Sequence, residues 1–175
     1  MGKMNSIIIC IDNGVSGSIS IKKGDDIYFF ITPVKKCLDY TKKKKFLNRL
    51  DIKNLDKIFN ELNIFENKNI KVFIERPMIN FTRFNASISA IRCFEALIVY
   101  LESKDLSYEI IDSKEWQRYI MPKNIKGNKE LKICSLELGN RYFPQFKDNK
   151  LKDRDSLLML KYILEKKGVN LWLLN

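Results

Sequence analysis

Apolar residues follow two rhythms along this 175-residue chain, first that of strands and then that of helices. Ile7-Ile8-Ile9-Cys10-Ile11 is an unbroken apolar run, the signature of a short strand buried on both faces. Asp12, Asn13-Gly14 and Gly17 interrupt it, and period-two alternation resumes through Ile19 and Ile21. The pattern predicts a strand over 18–23, joined to the first by a hairpin turn at Asn13-Gly14. Gly24-Asp25-Asp26 marks a second turn, and a third strand over 27–32 stops at Pro33.

Helical spacing then takes over. Leu55, Ile58, Phe59, Leu62 and Phe65 recur every three or four positions and predict an amphipathic helix from about Asn54. Ile70, Val72 and Ile74 give a strand ending in Glu75-Arg76-Pro77. The longest helix is expected over 84–102. It carries a seam of small residues, Ala86, Ser89, Ala90, Cys93 and Ala96, that would let the sheet or a second subunit approach closely. A strand at 108–111 precedes a helix capped by Asp112 or Ser113. A loop over 122–128 leads into a helix ending near Tyr142 and closed by Pro144. The last helix is expected over 153–167, stopped by Gly168, with 171–174 an apolar tail.

Three antiparallel strands, then helix, strand, helix, strand and further helices, predict an α/β fold. Its sheet is mixed, three antiparallel strands followed by parallel ones, with helices on both faces. This is the order of ribonuclease H-like folds, in which the first strand is central and the strand after the first helix pairs with it in parallel. At this length a single domain over 1–175 is expected.

Composition narrows partner and chemistry. The formal net charge of +11 points to a polyanion, nucleic acid before an anionic membrane. There is no histidine, which excludes Ser-His-Asp and Cys-His catalysis and nearly every His-ligated zinc or iron site. The four cysteines are scattered, with no Cys-x-x-Cys pair, and fit a reducing cytoplasm better than secretion. No run of 18 apolar residues occurs and 7–11 is too short for a signal-peptide core, so a cytoplasmic protein without a membrane partner is expected. Residues 1–6 match the short myristoylation pattern, but lipidation is not expected. Between Lys35 and Lys57 nine Lys or Arg stand against three Asp, including Lys42-Lys43-Lys44-Lys45. That stretch reads either as a mobile basic loop touching phosphates or as a solvated lysine run.

The acids supply the chemistry. In the expected topology Asp12 and Glu75 end neighbouring parallel strands about 4.8 Å apart. Two carboxylates held that close repel unless a proton or cation intervenes, and hard divalent cations such as magnesium prefer oxygen ligands. Asp153 and Asp155 in "KDRDSLLML" open the last helix. Capping explains one of them, not both. Asp155 begins the stripe continued by Leu158 and Met159, so it is the expected ligand, with Asp153 a cap or second-tier ligand. Gly14 and Gly17 would keep side chains away from that pocket.

The spacing Asp12-x-Gly14-x-x-Gly17, the strand-final Glu75, "ERPMINFTRFNASISAIRCFEALI", "IDSKEWQRYIMP" and "KDRDSLLM" together resemble RuvC-type Holliday-junction resolvases, in particular phage and prophage members, over residues 7–164. The resemblance implies a homodimeric endonuclease that cuts branched DNA such as a four-way junction, using two Mg2+ ions per site, with Mn2+ able to substitute. Asp12, Glu75 and Asp155 fall on the family's catalytic metal-binding acids. The family's fourth acid lies three residues before the last, where this chain has Lys152, and Asp153 is offered instead. Lys114, and Lys129 or Lys132, fall near the family's DNA-contacting lysines. Phe81 or Phe84 falls in the segment from which the family inserts an aromatic near the junction centre, the alternative being a core phenylalanine. Arg76 and Arg83 would neutralise flanking phosphates. The small-residue seam is the expected dimer contact, since a two-fold dimer presents two sites to two symmetry-related strands.

Other readings are a ribonuclease H-type or general nuclease of the same fold, and a non-catalytic DNA-binding module with structural carboxylates. Actin-like phosphotransferases share Asp-x-Gly-x-x-Gly, but need two such domains, which 175 residues do not hold.

Overall fold

The computed structural model describes residues 6–39, 44–125, 127–151 and 153–166. The myristoylation pattern in 1–5, the apolar tail at 171–174, and Lys152 lie outside them. The apolar run forms β1 (Ile7–Ile11), buried at all five positions. Alternation over the next segment forms β2 (Ser18–Lys23), and β3 (Asp26–Ile31) completes the meander. After the first helix come β6 (Ile70–Glu75) and β7 (Tyr108–Ile111). The main sheet runs β3-β2-β1-β6-β7, with β1–β2 and β2–β3 antiparallel and β1–β6 and β6–β7 parallel. The ribonuclease H-like order, with β1 central, is as expected.

Burial of β1 on both faces has a direct cause: each face carries its own helical layer. Ile7, Ile9 and Ile11 join Ile19, Ile21, Val72 and Ile74 against Leu55 and Phe59 of α1 (Ile52–Glu61) and Leu97 and Leu101 of α2 (Phe84–Ser103). Ile8, Cys10 and Phe73 point the other way, onto Trp116 of α3 (Ser113–Ile120) and Leu158 and Met159 of α5 (Asp155–Glu165). The fifth helix, α4 (Asn128–Tyr142), packs on α5. Period-two side-chain alternation of β1 thus feeds two cores at once.

The structure departs from the sequence pattern in four places. Much of the basic stretch after Pro33 is strand among the described residues, which leave out Lys42 and Lys43. It folds into a second, two-stranded antiparallel sheet of β4 (Val34–Leu38) and β5 (Phe46–Leu50), whose buried Leu50 joins the core and which leans on α2. Lysines masked its weak alternation. The β1–β2 connection is longer than an Asn-Gly hairpin: the Asp12 N–H donates to the Ser18 carbonyl, and the tight turn closes from Gly17 N–H to Gly14 O at 3.1 Å. Helix α1 begins earlier than Asn54 because Asp51 caps it, accepting from the Asn54 N–H. Helix α5 begins at Asp155, with Arg154 rather than Asp153 in the capping position.

The small-residue seam of α2 has partners within the chain. Cys93 is buried in the core, Ser89 and Ala96 face the β4–β5 hairpin, and the Ala90 carbonyl accepts a hydrogen bond from Asn13 Nδ2 at 3.2 Å. Part of the seam thus faces the chain's own hairpin and 12–17 loop, while Ala86 is exposed. By length and composition alone the segment Phe81–Ser103 would pass as a membrane span; here its inner side lies on the sheet.

Candidate metal centre

Register places the first two acids. Ile11 pairs with Ile74 in the parallel β1–β6 ladder, so Asp12 and Glu75, the next residues, project from the same end of adjacent strands. The start of α5 reaches that end, bringing Asp153 and Asp155. One carboxylate oxygen from each of Asp12, Asp153 and Asp155 lies within 4.8 Å of the others. All four carboxylates are half-buried.

Close packing makes room for them. A Cβ at Gly17 would sit 2.3 Å from the Asp12 carbonyl oxygen and 2.9 Å from Asp12 Oδ2, so only glycine lets β2 start this near the acid. Gly14, by contrast, has open space around it, so that half of the expectation fails. On the other side α4 presents three residues at helical spacing. Lys132 aims its charge at the acids, the Ser135 hydroxyl donates to Asp155 Oδ1, and Gly139 admits the Arg154 stem, which a Cβ would meet at 2.4 Å. Arg154 is fully buried and donates to the carbonyls of Leu151, Asp153 and Phe146 and to Asn140 Oδ1, tying down the loop that delivers both aspartates. Asp153 Oδ1 accepts from Ser18 Oγ at 2.7 Å and from the Asp155 N–H at 3.1 Å. It therefore combines the two roles the sequence left open, bonding at the helix start and facing the cluster.

Electrostatically the four carboxylates outweigh the pull of Lys132 and Arg154. Burial pushes the Asp12 carboxyl well above its usual range, and Glu75, Asp153 and Asp155 push it further, against a smaller opposing pull from Lys132. Glu75 rises to about 8 through burial and then the charges of Asp155 and Asp153. Asp155 rises to about 6 through burial and the charge of Asp153, and Asp153 is itself raised by burial. The Trp116 indole N–H, buried and without a partner at ordinary hydrogen-bond geometry, exerts a modest favourable pull on Glu75. Four oxygen-only side chains with repelling charges fit a hard divalent cation and suit few other ligands.

The remaining candidates lie around this centre. Phe81 is 90% and Phe84 65% exposed, so neither is a core phenylalanine, and Arg83 beside them is exposed as well. Arg76 is largely exposed and its guanidinium pairs with the Asp112 carboxylate, which also caps α3 through the Lys114 N–H. Lys114 is exposed in the first turn of α3, and Lys129 lies one turn before Lys132 on α4. Ser18, Ser135, Gly139, Arg154 and Trp116 were not singled out from sequence. The stripe Lys132, Ser135, Gly139 at helical spacing was the available signal, since a small polar and a glycine in line with a lysine mark a face that something approaches.

Both the sequence and the fold have known counterparts. A family model described as DUF3882, Lactococcus phage M3 protein, matches residues 8–164. No curated protein matches the chain. Among solved structures the fold is similar to that of T. thermophilus RuvC in complex with Holliday junction substrate, with a TM-score of 0.52 and 8% identity, covering 91% of this chain and 94% of that one. A second Thermus thermophilus RuvC structure superposes with a TM-score of 0.47 and 9% identity, over 90% of this chain and 95% of that one. At such identities the likeness is one of fold.

Proposed function

Since the chain belongs to the Lactococcus phage M3 protein family and has a RuvC-like fold, we propose that it is a metal-dependent, structure-selective endonuclease that resolves Holliday junctions or other branched DNA. The observation that carries this reading is the acid cluster: Asp12, Asp153 and Asp155 converge within 4.8 Å, with Glu75 beside them, at one end of the parallel strands. Asp12, Glu75, Asp153 and Asp155 would hold the metal, and two Mg2+ ions, or Mn2+ in their place, would polarise the scissile phosphate and activate a water.

The chain's own residues do the rest. Arg154 and Ser135 fix the α5 aspartates, Ser18 orients Asp153, and Gly17 keeps the Asp12 side free of bulk. Lys132, whose charge acts on Asp12 and Asp155, would contact a phosphate, with Lys129, Lys114 and Arg83 as outer cations. The exposed Phe81 and Phe84 would wedge between bases at a branch point. Junction DNA is the substrate this combination serves best, because continuous duplex offers such aromatics nothing to stack on. A single domain over 1–175 acts as a homodimer, with the small-residue face of α2 and the exposed Ile91 and Val99 on the same helix as the candidate contact.

The test is to incubate the protein with a four-way junction, a linear duplex and an RNA–DNA hybrid, with magnesium or with EDTA. Paired symmetric nicks in the junction alone, lost in EDTA, are expected. Equal cutting of linear duplex overturns the resolvase reading, cutting of the hybrid alone indicates a ribonuclease H-type enzyme, and no cutting anywhere leaves a DNA-binding module.

A further inference from the structure

The β4–β5 hairpin and α2 enclose a groove of about 740 Å³ that the nuclease reading leaves without a role. Its walls carry four cations, Lys35, Lys45 and Arg49 from the hairpin and Arg92 from the helix, against one acid, Asp39. Lys35 and Arg49 lie directly opposite each other across the hairpin. Two aromatics, Phe46 at 71% exposure and Phe84 at 65%, flank the groove and meet water instead of a core. Its floor is apolar, with Ile88 and Ala96.

The groove also has a direction. Val15 lines it, and Val15 belongs to the 12–17 loop, three residues from Asp12. The same loop is fastened to α2 by the bond from Asn13 Nδ2 to the Ala90 carbonyl and by a contact between the Cys93 thiol and the Gly14 backbone. The loop that carries Asp12 therefore also borders the groove's cations and rings. Alternating phosphate-binding cations and exposed aromatics suit a flexible single strand; a duplex hides its base faces.

We infer that this groove binds single-stranded DNA, holding a strand that leaves the acid cluster, an inference that rests on the nuclease reading of that cluster. The probe is a fluorescent oligo(dT), followed by anisotropy in EDTA, beside a blunt duplex of equal length. Substituting Lys35→Ala, Lys45→Ala and Arg92→Ala together should weaken oligo(dT) binding about tenfold or more. It should also lower the salt slope by roughly two, at about 0.7 for each phosphate no longer neutralised. Phe46→Ala should weaken oligo(dT) binding about fivefold or more through loss of base stacking. Duplex binding should change less than about twofold in both variants, with melting temperatures unchanged because all four side chains are exposed.

Equal losses for duplex and oligo(dT), or no loss for either, overturn the inference. So does a shift from dimer to monomer in gel filtration on Phe46→Ala, which would assign the groove to a second copy of the chain. The two readings fail separately. Absence of cutting by the parent protein with groove-dependent oligo(dT) binding defeats the proposed function alone. Intact junction cutting with groove-independent binding defeats this inference alone.

Discussion

Replacing Asp155 by asparagine should make the metal-free protein more stable near pH 8, and it should do so while abolishing cutting. The folded protein raises the Asp155 carboxyl from 3.8 to about 6, first by burial and then by the charge of Asp153. A carboxyl raised in the folded state binds its proton more tightly there than in the unfolded chain. It therefore contributes no penalty below about pH 4, a growing one between 4 and 6, and the full one above. Glu75, raised from 4.5 to about 8, extends the same loss of stability upward through pH 8. A shift of roughly two units corresponds to about 3 kcal/mol, and the solvent reaching this half-buried group reduces that to about 1–2 kcal/mol. For a chain of this size about 1–2 kcal/mol is roughly 2–8 °C in melting temperature. The amide oxygen of the introduced asparagine would still accept the Ser135 hydroxyl, so the substitution removes charge without orphaning its neighbour.

The assay is urea unfolding in EDTA at about pH 4, 6 and 8, repeated at pH 8 with millimolar magnesium. The variant should exceed the parent at pH 8, the gap should close by pH 4, and magnesium should stabilise the parent by more than the variant. A variant equal to or less stable than the parent at pH 8 in EDTA would refute the argument that the cluster is electrostatically strained. A gap independent of pH would trace the effect to packing.

Three further outcomes follow from single contacts. Gly17→Ala puts a Cβ 2.3 Å from a backbone oxygen that cannot swing aside; it should destabilise by about 1–3 kcal/mol in a melt and suppress junction cutting. Arg154→Met strips hydrogen bonds from several buried carbonyls and should destabilise by about 3 kcal/mol or more in denaturant, with Arg154→Lys failing to restore stability because one ammonium cannot span those partners. Phe81→Ala and Phe84→Ala touch exposed rings, so stability should stay within about 0.5 kcal/mol while junction cutting falls; a large drop in melting temperature would return these residues to the core.

Legibility in the sequence tracked the physics of each element. Strands β1, β2, β6 and β7 and helix α2 were readable because their apolar periodicity serves a sheet with a helical layer on each side. Asp12 and Glu75 were readable as strand-terminal acids once the parallel pairing was inferred from element order. The β4–β5 hairpin was not, since lysines occupy its solvent side and only Leu50 of its ten residues is buried. Ser18 and Ser20 were equally hidden. Their alternation with Ile19 and Ile21 reads as a strand with one wet face, yet the second helical layer buries them, where Ser18 bonds Asp153 and Ser20 bonds the Ser156 carbonyl. Contacts such as Gly139 against Arg154 depend on two helices meeting, and no local pattern in either reports it.

Departures from local stability rules are not spread evenly over this molecule. The desolvated Asp12 and the bare phenylalanines at 46, 81 and 84 all belong to or border either the 12–17 loop or α2. Elsewhere α1 and α3 carry side-chain caps and each face of the sheet meets an apolar helical layer. Natural sequences tolerate such conflicts mainly where function requires them. The conflicts here share one physical element. Helix α2 holds the Asp12 loop through Ala90 and Cys93, walls the cationic groove through Ser89 and Arg92, and begins at Phe84. The loop that begins at Asp12 and the wall of the groove are thus fastened to the same helix, so a substitution that loosens Asn13 from Ala90 should disturb the acid cluster and the groove together.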